Sequence, residues 1–365
     1  MLNVSNGSCI RRLGLRSMGA ARTRNIVAVL AIALTTVLFT SLFSIAASLN
    51  ASFQQQNFRQ AGGDCHGTFK DLSYDQVEEL RGDPLIREGF ARLFVGMPSE
   101  APFHKAHVEV SYLEPAAAPH YFCTPAEGRL PEEGTNEAAT DTRVLALLGV
   151  EPEIGAEFTV TFDIDMNTAQ RQAVTRTFTL SGWWEYDSAV SASHILLPRS
   201  AAAEVCALGS GDPDSMTGKW NLDVMLGSAM HIGADLLTIL ESHGYQSVDA
   251  TGKNYIGTGV NWGYSGAQLS NSMDAGTLLA IGALLLLIIF TGYLIIFNVF
   301  QISVTNDIRF YGLLKTIGTT GRQIRRIIRQ QALILSLIGI PMGLALGFLV
   351  GVKLTPVVLS VLDEN

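Results

Sequence analysis

The chain is poor in charge and lacks the signatures of the common hydrolytic centres. Of its 365 residues only 16% are Asp, Glu, Lys or Arg, whereas 48% are apolar. No Gly-x-x-x-x-Gly-Lys-(Ser/Thr) occurs, so the chain has no phosphate-binding loop of its own. No Gly-x-Ser-x-Gly occurs either, which removes the strained nucleophile turn of the α/β-hydrolases. The four cysteines leave little room for cross-linking. Cys9 stands apart near the N-terminus, and Cys65, Cys123 and Cys206 admit at most one disulfide, in any of three pairings. The first 25 residues contain no acid, and Leu278–Phe297 contains no charge of either sign.

What is present is long apolar sequence. A mean hydropathy of +0.27 with so few charges points to a membrane protein carrying a sizeable soluble part. Three runs reach the ~20 apolar residues needed to cross a bilayer: Ile26–Leu49, Thr277–Val299 and Ala332–Val352. Within Leu278–Phe297, 14 of 20 residues are Leu, Ile or Phe. They contribute on the order of −4 to −8 kcal/mol towards insertion. A cleaved signal peptide is the alternative for the first run, since Ala46-Ala47-Ser48 follow it, but its core exceeds a signal peptide's apolar stretch of about 7–15 residues.

Charge gives the runs an orientation. Arg11, Arg12, Arg16, Arg22 and Arg24 precede the first. Arg309, Lys315, Arg322, Arg325, Arg326 and Arg329 lie between the second and third, against Asp307 alone. Residues 50–273 hold 29 acids against 13 bases. The positive-inside rule places both basic segments in the cytoplasm and residues 50–273 outside. The expected fold class is an α-helical membrane protein with three transmembrane helices and a large α+β extracytoplasmic domain between the first two. Its segments are 1–25 (cytoplasmic, amphipathic), 26–49, 50–273, 274–299, 300–331 (cytoplasmic), 332–354 and 355–365 (external tail). The expected location is the plasma membrane, and nucleic acid is not an expected partner.

Local patterns fill in the external part. Ser73–Arg81 has an N-cap serine followed by apolar residues at helical spacing. Phe158, Val160, Phe162 and Ile164 alternate with polar residues, as do Val174, Phe178 and Leu180; Asp165–Arg171 joins the two runs as a hairpin. His194–Leu197 reads as a short strand, Arg199–Leu208 and Gly233–His243 as helices, and Gly252–Gly266 as a glycine-rich loop. Gln268–Asp274 leads helically into the second span.

The most specific stretch is Arg309-Phe310-Tyr311-Gly312-Leu313-Leu314-Lys315-Thr316-Ile317-Gly318-Thr319-Thr320, then Arg322-Gln323-Ile324. In order, spacing and membrane context it resembles the cytoplasmic link of the FtsX-like permease family, which includes the MacB-type ABC transporter permeases. Outside, Gly128-Arg129-Leu130-Pro131-Glu132, Asn136-Glu137, Leu148-Gly149 and Gly155 are similar to the family's extracytoplasmic core domain. The resemblance implies that Arg309, Phe310, Tyr311, Gly312, Leu313, Leu314, Lys315, Ile317 and Gly318 couple the chain to a separate cytoplasmic ATPase. Phe310, Tyr311, Leu313 and Leu314 would grip that partner, and Arg309 and Lys315 would orient it. ATP would be bound by the partner, with no enzymatic activity and no cofactor in this chain. The family unit has four spans and three are counted here, which implies a missing half or a second permease chain in a dimeric assembly. Work delivered outside on peptide, lipid or lipoprotein is the leading expectation; a non-transporting scaffold that senses a ligand or activates a cell-wall hydrolase is the alternative. For the link itself, an ordinary amphipathic connector on the membrane surface is the alternative to coupling.

Three further patterns stand beside it. Arg322, Arg325, Arg326 and Arg329 share one helical face, opposite Ile324, Ile327 and Ile328, and suit anionic lipid headgroups. Gly339, Gly343, Gly347 and Gly351 form a ridge for close helix packing, within the bundle or in a dimer. His104, His107, His120 and Cys123 have spacings a metal accepts, but surface histidines near prolines are commoner and no metal site is assigned.

Overall fold

The computed structural model describes residues 7–20, 22–98, 101–252, 254–272, 275–306 and 308–363. Two compact units emerge: Phe53–Ser272, and Met1–Ser52 together with Met273–Asn365. In chain order the helices are α1 (Gly7–Ala20), α2 (Arg22–Ala61), α3 (Tyr74–Arg81), α4 (Thr142–Leu148), α5 (Arg199–Cys206), α6 (Ile232–Ser242), α7 (Ser265–Ser272), α8 (Ala275–Asn306), α9 (Ile308–Thr316) and α10 (Gly321–Asp363). The strands are β1 (Gly67–Leu72), β2 (Ile86–Gly96), β3 (Val108–Leu113), β4 (Glu127–Gly128), β5 (Glu137–Asp141), β6 (Glu157–Ile164), β7 (Gln172–Trp184), β8 (Ser193–Leu196), β9 (Trp220–Leu226) and β10 (Gly257–Val260).

The unit Phe53–Ser272 is α+β, built on one mixed sheet in the order β10-β1-β9-β2-β3-β8-β5-β7-β4, with β6 paired to β7. β3–β8 and β5–β7 run parallel, so each needs a long crossover. The β6–β7 hairpin keeps the register Glu157↔Thr179 through Ile164↔Gln172. Phe158, Val160, Phe162 and Ile164 are buried, while Thr159–Thr177 and Thr161–Thr175 pair their hydroxyls across the other face at 2.8 Å. One sheet face carries the main core. There α3 supplies Val77 and Leu80, α5 supplies Ala202 and Val205, and α6 supplies Ile232, Leu236, Ile239 and Leu240. α3 starts on a full capping box, Ser73 accepting from the Gln76 N–H while Gln76 accepts from the Ser73 N–H. On the opposite face a smaller cluster of Phe90, Leu113, Trp184 and Leu196 is covered by the 3-10 turn Pro115–Tyr121 through Ala117, Ala118 and Tyr121.

In the other unit, α2 and α10 are long and apolar enough to cross a membrane. The 40 residues of α2 span about 60 Å, against a hydrocarbon core of about 30 Å. α8 has 32 residues and contains the apolar stretch Gly282–Ile295. Among the described residues two helices, α2 and α10, stand as candidate spans. α10 continues through Thr355 to Asp363, with Pro341 and Pro356 inside it. Met273 and Asp274, expected to lead into α8, lie outside the described residues.

The glycine ridge of α10 faces α2. A Cβ added to Gly339, Gly343, Gly347 or Gly351 would meet Ile32, Thr36, Thr40 or Ser44 at 2.5–2.9 Å. Residue numbers rise together along both helices, so α2 and α10 run in the same direction. Their arginine-rich starts therefore lie at one end of the pair. Thr36 Oγ1 on this face donates to the Ile32 carbonyl at 2.8 Å. Gly343→Leu should destabilise this unit by about 1–3 kcal/mol through overpacking, because the Ala33 carbonyl lies 2.7 Å from the added Cβ and cannot yield cheaply. Gly282→Ala, whose Cβ meets nothing within 4 Å, should be close to neutral. Thermal unfolding in detergent compares the two, and equal midpoints would refute the ridge as a packing contact.

Candidate functional site

The segment from α9 to the start of α10 is built by local rules. Gly318 has φ +94, a left-handed conformation that favours glycine. Its N–H donates to the Lys315 carbonyl and the Thr319 N–H to the Leu314 carbonyl, both at 3.1 Å, which is a Schellman termination of α9. The Gln323 side chain then accepts the Thr320 N–H at 2.9 Å and opens α10. The sequence Ile317-Gly318-Thr319-Thr320 thus stops one helix and starts the next.

Its side chains divide into two sets. Leu314 is only 8% exposed and packs with Ile327 of α10, against Leu13 of α1 and the half-buried Phe310 and Tyr311. The Tyr311 hydroxyl donates to Gln331 Oε1 at 3.3 Å, and Gln331 Nε2 donates to Ser17 Oγ at 2.9 Å. α1, α9 and the start of α10 therefore form one small bundle. Leu313 is 64% exposed and Ile317 81%, with Gly312 and Lys315 also open to solvent. Leu314, expected to join Leu313 in gripping a partner, packs within the chain while Leu313 is exposed, because neighbours on a helix point about 100° apart. Ile308 is 62% exposed as well. Asp307 lies outside the described residues, as does the Arg309 side chain. Arg322, Arg325, Arg326 and Arg329 are all exposed, opposite the buried Ile327. α1, read as a surface helix, seats Gly14 and Ser17 against α10 and turns Arg11, Arg12 and Arg16 outward.

In the sheet unit, a polar row crosses five neighbouring strands: Thr68 on β1, Asp223 on β9, Arg92 on β2, Glu109 on β3 and His194 on β8. Arg92 Nη1 donates to Glu109 Oε2 at 3.3 Å, and Arg92 Nε lies 3.8 Å from Asp223 Oδ2. Thr68 Oγ1 donates to Asp223 Oδ1. His107 Nε2 and His194 Nδ1 approach Glu109 at 3.4 and 4.0 Å. Burial pushes the Glu109 carboxyl up, but the His107 hydrogen bond and the charges of His194 and Arg92 outweigh it and hold the group at about 2. Burial pushes the His194 imidazole down to about 4, against the pull of Glu109. The row lies beside a cavity of about 280 Å³ that Cys65 and Tyr121 also line.

Of the residues with metal-compatible spacing, His104, His107, His120 and Cys123 do not form one cluster. Instead His120 meets Asp64 and Cys65, with ligand atoms all within 4.8 Å of one another. Neither partner was visible from spacing, because they lie far upstream of His120. The Asp64 N–H donates to the His120 carbonyl at 3.0 Å, and that bond holds the segments together.

Residues 282–362, which take in most of α8, all of α9 and nearly all of α10, match the FtsX-like permease C-terminal family. This segment is FtsX-like. Its family region contains both the glycine ridge and the exposed Leu313 and Ile317. No curated protein matches the chain. Among solved structures, the chain is similar to the extracellular domain of the noncanonic ABC-type transporter YknZ from Gram-positive bacteria, at 12% identity and a TM-score of 0.32, covering 53% of this chain and 99% of that one. It is also similar to a domain of a putative permease protein from Porphyromonas gingivalis, at 10% identity and a TM-score of 0.32, covering 57% and 96%.

Alongside its FtsX-like segment the chain carries a sheet unit with a built-in acid sensitivity. Between pH 6.5 and about 4 the unfolded chain protonates His194 while the folded chain does not, so stability falls as pH drops through that window. Glu109 adds a loss in the same direction below pH 4.5, down to about 2. His107, raised by its bond to Glu109, acts above pH 6.5, and Asp223, raised by burial, works the opposite way from pH 3.8 upward. His194→Gln should flatten the stability profile between pH 6.5 and 4, measured by denaturant titration at stepped pH. An unchanged slope would remove His194 from this role.

Proposed function

We propose that the chain is the membrane permease subunit of an ABC-type complex, coupling a separate cytoplasmic ATPase to the sheet unit outside. The observation that carries this reading is the FtsX-like match of residues 282–362 together with an α9 that exposes Leu313 and Ile317 while Leu314 anchors it internally. Exposed aliphatic side chains beside a bare Gly312 suit insertion into a groove, and Lys315 at the C-terminal end of α9 supplies charge for orientation. Closure of the ATPase pair around ATP pulls on α9. The Leu314–Ile327–Leu13 contact passes that pull to α10 and α1, and the glycine ridge passes it to α2. α2 is shared by both units, so the pull leaves the membrane through it. The chain itself does no chemistry. A second membrane unit, on another chain or in further sequence, completes the assembly, and the arginine face of α10 meets anionic headgroups.

Leu313→Asp should abolish co-purification with the ATPase and leave membrane insertion and thermal stability unchanged. Leu314→Ala should instead lower stability by about 2 kcal/mol, because it opens a hole in the chain's own packing. Co-purification that survives Leu313→Asp would refute the coupling role. The orientation has its own check: a membrane-impermeant amine reagent added to intact cells should spare Lys315, and labelling there would overturn the topology.

A further inference from the structure

The C-terminal end of α2 meets the sheet at a joint that is unusually rich in metal-ligating atoms. α2 ends at Ala61; Gly62 follows in a left-handed conformation with φ +83, then Gly63, Asp64 and Cys65. His120 arrives from the 3-10 turn Pro115–Tyr121. Asp64 Oδ1 and His120 Nδ1 are 2.6 Å apart, and Cys65 Sγ completes a triangle with all sides within 4.8 Å. The joint is fixed around them. Asn261 Nδ2 donates to the carbonyls of Gly63 and Cys65 at 2.9 Å, the Tyr264 hydroxyl donates to the Asp64 carbonyl, and the His120 ring lies 4.8 Å from that of Phe90. Cys65 is buried and free, and it lines the 280 Å³ cavity.

We propose that Asp64, Cys65 and His120 form a zinc-class divalent metal site that clamps the link following α2 to the 3-10 turn Pro115–Tyr121. Carboxylate, thiolate and imidazole are the donor set zinc accepts, with bond lengths of about 2.0–2.3 Å that place tetrahedral ligand atoms about 3.3–3.6 Å apart. The observed triangle reaches this by opening the Asp64–His120 side and drawing Cys65 in. The cavity beside Cys65 has room for a fourth ligand, a water. Binding balances simply. The thiol releases its proton to solvent, and the imidazole proton moves from Nδ1 to Nε2, so one proton leaves per ion. The two charges left on thiolate and carboxylate neutralise the ion in an acidic part of the chain.

The test uses tag-free, EDTA-treated full-length protein in detergent micelles, titrated with cobalt(II). A thiolate-to-cobalt charge-transfer band should saturate at one equivalent and bleach when zinc is added. Cys65→Ser and His120→Ala should abolish it, and Cys123→Ser and Cys206→Ser should leave it intact. The near-isosteric Asp64→Asn preserves the fold and should weaken zinc binding about tenfold or more. A band that persists in Cys65→Ser, no band in the wild type, or undiminished binding in Asp64→Asn would each overturn the site.

Discussion

The contact that organises the membrane unit is the backbone-to-backbone approach of α10 on α2. In hydrocarbon there is no hydrophobic drive to hold two helices together, so close van der Waals packing must do it. Glycine at positions 339, 343, 347 and 351 lets it happen, and Thr36, Thr40 and Ser44 opposite are small enough to be met. Because the two helices run in the same direction, the chain between them has to cross back. The reversal that completes this return is the α9–Gly318 turn, placed beside the arginines that begin α10. The position of α9 thus follows from the ridge as much as from its own residues.

Within that turn, adjacent leucines have opposite fates. Leu314 goes inward onto Ile327 and Leu13, and Leu313 goes outward. An exposed aliphatic surface held by an internal anchor is a rigid handle, whereas the same residues on a free loop would lose ordering entropy on binding. α1 contributes to this rigidity through Ser17 and Leu13, so the N-terminal arginines sit on a structural element rather than on a loose flank.

Much of the fold could be read from the chain. The Phe158–Ile164 alternation gave the β6–β7 hairpin, and the Ser73 N-cap with Val77 and Leu80 at helical spacing gave α3, because each rests on local physics. The centre of the sheet was harder. β2 buries both faces and loses alternation, and β10 is a glycine-rich edge strand that looks like a loop. β9 was legible but missed: Trp220, Leu222, Val224 and Leu226 alternate, with Asp223 on the other face. The polar row and the Asp64–Cys65–His120 cluster could not be read, because strand order, not spacing, assembles them. In α9 the division between buried and exposed leucines could not be read, since which leucine turns inward depends on where α1 and α10 lie.

The spacing of the α2–α10 contact has one more consequence. Small or tolerant residues recur on α2 at Ala28, Ile32, Thr36, Thr40, Ser44 and Ser48, with the same four-residue repeat as the glycines. Sliding one helix along the other by a single repeat, about 6 Å, would seat each glycine over the next member of the series. The seam is thus a toothed rail: it fixes which surfaces meet firmly and how far along they meet only loosely.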